Sequence, residues 1–215
     1  MSLLPVLAPA APASEALARV MDAADIPESG RGSADAVADW AESDPGLALR
    51  LIAGWLSTRE AIWWSALCQA QLLKVAGNPG PVPLLSAIIG WTCEPSDKTR
   101  AAVGAPGDRG DASPVAMLAQ AVAFTTDNLS PVKNHPVPCP PGVAHRMVAL
   151  SVLTAVKLWP GSNGGDCRQH FIELGLDVSD GKLPWTPDLA PSHPGLRPVI
   201  VVPPRRTDGN IWENW

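Results

Sequence analysis

Residues 57–73 read STREAIWWSALCQAQLL, and the spacing within this stretch decides the fold. Ser57 and Glu60 stand three apart, the spacing of a capping box, in which each side chain satisfies the other's orphan backbone donor. The helix they open should run from about Thr58 to Ala76 and stop at Gly77-Asn78-Pro79. At about 100° per residue, Trp64, Leu67, Cys68, Gln71, Leu72 and Val75 fall on one arc, and Trp63 borders it. A chain with two Phe and no Tyr places two of its nine Trp side by side here. Both indoles can be buried if neighbouring helices cover that broad face from two sides. Trp63, at the border of the arc, can alternatively serve as a contact residue for a partner.

Helical periodicity continues on both sides. Ser14 is positioned to cap a helix whose Leu17, Val20, Met21 and Ala24 make an apolar stripe. Ser33 can cap a second helix holding Val37 and Trp40. Asp44-Pro45 opens a third, since Pro is tolerated in a first turn. Further helices are expected at 83–92, 95–104 and 113–125. A Pro-rich loop at 128–142 follows, then a long helix over 143–159 and a last one ending near Gly181. Beyond it the chain is Pro-rich, and Val199–Val202 is its one strand-like run, too little for a stable sheet. The expected fold is all-α: an irregular multi-helix bundle over residues 14–180. The Pro-rich, largely non-helical tail, 181–215, should pack on that domain or on a partner.

Composition narrows the function. The 215 residues carry a formal net charge of −5 and 46% apolar residues. An acidic chain without a basic face does not suit nucleic acid, whose phosphates demand one. The longest apolar stretches are too short or too charged to span a bilayer. The N-terminal run lacks the basic start of a secretory signal. Four widely spaced Cys do not resemble a secreted disulfide scaffold, so reduced thiols and a cytoplasmic location are expected.

No motif specifies a reaction. His135, Cys139, His145, Cys167 and His170 are of ligand type, but no C-x2-C knuckle organises them for zinc. Gly161–Asp166, GSNGGD, lacks the G-K-[ST] ending of a phosphate loop and reads as a turn, capped by Asn163 or Asp166. Asp35 and Asp39 read as a solvated face, and the RGD at 109–111 as loop residues. No metal or cofactor is expected.

Two stretches, REAIWWSALC (59–68) and FIELGLDV (171–178), resemble an uncharacterised bacterial all-helical family. Its members carry R-E-A-[IV]-W-W-A and, later, F-x-x-x-G-L-D-[IV]. The resemblance covers about residues 14–180, and Ser65 stands where the family has Ala. It implies a helical fold without assigned catalytic residues. Through an association with type VI secretion gene clusters, it also implies an accessory or adaptor part.

The resulting expectation is a non-enzymatic protein that works by contact with another protein. Its candidate contact residues are Trp63, Trp185, Arg205, Arg206, Trp212 and Trp215, since Trp and Arg are enriched at binding hot spots. The alternative is a small hydrolase or transferase with its site between the last two long helices. There Cys167, favoured as thiolate by a helix N-terminus, would be served by His145 or His170.

Overall fold

A computed structural model describes residues 12–185, apart from 28, 77–80, 105–111, 131, 133 and 162–164. Its α-helices are α1 (Ala13–Leu17), α2 (Ser33–Ser43), α3 (Pro45–Trp55), α4 (Thr58–Ala76), α5 (Val82–Cys93), α6 (Asp97–Val103), α7 (Pro114–Ala123), α8 (Val143–Leu158) and α9 (Gly165–Ser179). A 3-10 turn, Ala23–Asp25, joins α1 to α2. The described residues contain no β-strand, only two isolated bridges. The fold is the expected all-α bundle.

The quoted stretch forms its centre. Every residue of α4 from Glu60 to Leu73 is buried, because α8, α5, α7 and α9 surround it and α3 leads into it. The expected single apolar arc is therefore a wholly enclosed helix. Val75 leaves the bundle with the last turn and is 49% exposed. Enclosure on all sides also buries polar residues, which must then be hydrogen-bonded. The capping box forms as its spacing predicts: Glu60 Oε2 accepts the Ser57 N–H at 2.9 Å, and Ser57 Oγ accepts the Glu60 N–H at 3.4 Å. Ser65 and Gln69 both donate to Ser151 Oγ on α8, at 3.1 and 2.9 Å. Ser151 in turn donates to the Pro114 carbonyl of α7 at 2.8 Å. One hydroxyl thus joins three helices.

The tandem indoles do the same on the other side. Trp63 and Trp64 are 1% and 0% exposed, so each N–H needs an internal acceptor. Trp63 donates to the Leu183 carbonyl and Trp64 to the Phe171 carbonyl, each at 2.8 Å. Trp63 accordingly belongs to the core, and its role as an exposed contact residue does not survive enclosure. Trp159 meets Phe171 edge-on, with centroids 5.7 Å apart. Two glycines permit the close packing. A Cβ on Gly54 of α3 would lie 2.0 Å from the Ala16 carbonyl oxygen of α1, and one on Gly175 of α9 would lie 2.6 Å from Ile52 Cγ2.

Local signals hold where a cap acts alone. Asp44 accepts the Leu47 N–H ahead of Pro45, and Ser113 accepts the Ala116 N–H ahead of Pro114. Ser96 and Thr99 form a second capping box at α6. They fail where tertiary pairing sets the entry. Ser14 lies inside α1, whose N-cap is Pro12, and Ser33 is the first residue of α2, whose N-cap is Gly32. The Ala13 N–H donates to the Arg31 carbonyl and Pro12 bridges Gly32, so backbone pairing starts both helices. The stripe through Val20, Met21 and Ala24 is no continuous helix: α1 stops at Leu17, and Ala24 is exposed. No described helix is long and apolar enough to cross a membrane.

Candidate functional site

The ends of four helices meet around a cleft of about 490 Å³. The N-termini of α4 and α8 contribute Thr58-Arg59 and Val143–His145. The C-terminal ends of α5 and α7 contribute Trp91 and Phe124–Asp127. Arg100 of α6 and the Cys139–Gly142 segment of the Pro-rich loop complete the wall. The volume falls in the range of ligand clefts, roughly 300–1,000 Å³.

Arg59 organises this end. A cation in the first turn of a helix opposes the dipole of that helix. Arg59 instead reaches to the opposite pole of a neighbour. Its Nε–H donates to the Thr92 carbonyl at 2.7 Å and its Nη2–H to the Cys93 carbonyl at 3.0 Å, closing the orphan acceptors of α5. The guanidinium also lies 4.2 Å from the ring centroid of Trp185, a cation–π contact. Burial lowers its pKa, with the nearby Cys93 opposing the shift. Among the described residues no carboxylate comes within ion-pair distance of Arg59. Arg100, by contrast, pairs with Asp97 and donates to Thr125 Oγ1 at 3.1 Å. Asp127 is the sole carboxylate lining the cleft among the described residues. Arg59 is thus the cation of this wall that no described carboxylate pairs with, in a chain of net charge −5. Trp91 adds a donor: it is 4% exposed, and its indole N–H meets no acceptor among the described residues.

The other polar groups of the cleft are engaged by the backbone. The Cys139 thiol donates to the Phe124 carbonyl at 3.3 Å, and burial raises its pKa. His145 Nε2 donates to the Leu56 carbonyl at 3.3 Å. Burial and the positive charge of Arg19 lower the His145 pKa against that bond, so the ring is neutral near pH 7. A protonated thiol and a neutral imidazole, each tied to a carbonyl, hold the Pro-rich loop and the α3–α4 link in place.

The other sequence candidates distribute as follows. Cys167 is 1% exposed, in the core, where no substrate can reach it. Burial, with Cys167 nearby, pushes the Cys68 thiol well up. The last two long helices, α8 and α9, each pack on α3 and α4, without substantial contact between them. His170 is half-buried on α9 and His135 is exposed. No group of three or more His, Cys, Asp or Glu among the described residues is placed to hold a metal. Asp35 and Asp39 are exposed, Asp39 pairing with Arg31. Asp166 falls inside α9 rather than at its cap. Trp185 is half-buried on Arg59. Arg205, Arg206, Trp212 and Trp215 lie outside the described residues, as do Asn163, the 109–111 tripeptide and Val199–Val202.

Reading the sequence alone missed Arg59, Trp91 and Arg100. The signal available for Arg59 was its place in a first turn, electrostatically the wrong end of its own helix. No curated protein and no solved structure matches the chain. The model of one family, described as a family of unknown function (DUF6931), matches residues 36–179, and the chain belongs to that family.

Proposed function

We propose that the protein is a cytoplasmic, non-enzymatic accessory or adaptor that works by protein–protein contact, docking a partner segment in the cleft at Arg59. The segment that fits carries an acidic side chain beside apolar or aromatic ones. The carboxylate answers the guanidinium, and the apolar part lies against Trp91, Phe124 and Pro140-Pro141. The observation that carries this reading is Arg59 itself, a half-buried cation without a carboxylate among the described residues, at the wall of a recess. The resemblance to proteins associated with type VI secretion gene clusters makes components of such a system the first partners to try.

Thr58→Glu tests it. An acidic residue in the first turn suits the dipole of α4 and introduces a carboxylate beside Arg59. Cross-linking in the host should capture a partner with the wild-type chain and lose it with Thr58→Glu at equal melting temperature. An identical set of captured proteins for both chains refutes the docking role.

A further inference from the structure

We propose that the cleft is held in cis by the chain's own Ile211–Trp215 stretch, IWENW, which a partner must displace. The inference rests on the cleft being a peptide-docking surface and names its resting occupant. The structure carries the chain to the cleft wall: the Leu183 carbonyl is fastened to Trp63, and Trp185 lies on Arg59. Residues 186–215 follow from that point and lie outside the described residues. The 25 residues from 186 to 210 give enough chain to return Ile211 to a site beside that anchor, and a tether within one chain raises the effective concentration of the stretch at the cleft. The chemistry also matches. Glu213 supplies the carboxylate that Arg59 lacks among the described residues. Trp212 and Trp215, on either side of it, supply indoles for the wall of Trp91, Phe124 and the prolines.

Cys139 is a native reporter, being the one cysteine that lines the cleft. The test compares its alkylation rate by iodoacetamide in the full chain and in the full chain bearing Glu213→Lys and Trp215→Ala. The expected result is a rate about tenfold higher in the variant, corresponding to an occupied-to-open ratio of roughly ten in the wild-type chain. The enclosed Cys68 should remain unreactive in both, which reports an intact fold. In a second arm, Trp215→Cys should form a disulfide with Cys139 within one chain on mild oxidation. Equal Cys139 rates in an intact fold, or a disulfide only between chains, overturn the cis occupant. The same acceleration from Asp188→Asn, with none from the Glu213 variant, also overturns it and gives the ion pair to Asp188. Equal rates, with partner capture still lost in Thr58→Glu, remove the cis occupant and leave the docking role standing. Acceleration in the variant without any captured partner removes the docking role and leaves the cis contact.

Discussion

The Trp64 indole N–H donates to the Phe171 carbonyl oxygen at 2.8 Å, in the interior of α9. That carbonyl also belongs to the helical ladder, so the indole takes its second lone pair. An indole can reach a helix backbone only where no side chain stands in the way. Gly175, one turn further along α9, supplies the gap, with its hypothetical Cβ 3.1 Å from Trp64 Nε1. The two stretches of sequence that stood out separately, 59–68 and 171–178, are thus the two sides of one contact.

Gly175→Ala should therefore overpack this contact. The added methyl meets Ile52 Cγ2 at 2.6 Å and Cδ1 at 3.1 Å, inside a core without spare volume. Loss of about 1–3 kcal/mol is expected, read as a lower urea midpoint at unchanged slope.

Gly90→Ala should do the opposite. Gly90 is exposed in α5, and a Cβ there meets nothing within 4 Å. Removing the backbone freedom of a helical Gly should stabilise by about 0.5–1 kcal/mol, measured by the same urea transition.

Truncating Trp64 to Ala should cost about 3–5 kcal/mol, the usual loss for a large buried aromatic. Trp64→Phe keeps most of the apolar volume and removes the donor, so about 1–2 kcal/mol is expected. A Phe variant as damaged as the Ala variant would show that hydrogen bonding, not volume, dominates the site.

Ser151→Ala removes the hydroxyl that joins Ser65, Gln69 and Pro114. Ser65 and Gln69 are then buried without this acceptor, at a cost of about 1–3 kcal/mol. Adding Ser65→Ala should cost less than its effect in the wild-type chain, because its partner is already gone. A double-mutant cycle measures that coupling.

His145 gives the fold a pH dependence. Its folded pKa is lowered from 6.5, first by burial and then by Arg19. Below 6.5 the unfolded chain binds more protons at this site than the folded one, so stability falls as pH drops. Its contribution is fully present above 6.5 and is lost progressively as pH falls toward the folded value. Unfolding free energies at pH 7.5 and 5.5 should differ more for the wild-type chain than for His145→Gln. An equal difference would show that other groups carry the slope.

Much of this architecture was legible in the residues. The Ser57–Glu60 box, the Asp44-Pro45 start and the Ser113-Pro114 start act within one helical turn, and each forms as spacing demands. Ser14 and Ser33 lost their capping roles because Pro12 and Gly32 pair across the sequence. No local pattern encodes such a pairing. The cleft was illegible for the same reason. Arg59, Trp91 and Arg100 come from three helices and Phe124 from the C-cap of a fourth, and periodicity describes each helix by itself.

The sequence alone determined that the chain is helical, where most helices begin, and that the tandem indoles belong at a seam, since these follow from short-range hydrogen bonding and apolar spacing. Only the tertiary structure decided that α4 is enclosed on all sides, that Trp64 pairs with Phe171 across 107 residues, and that Arg59, with no carboxylate partner among the described residues, lines a recess. Those facts depend on which surfaces meet, and such meetings are set by packing the whole chain at once.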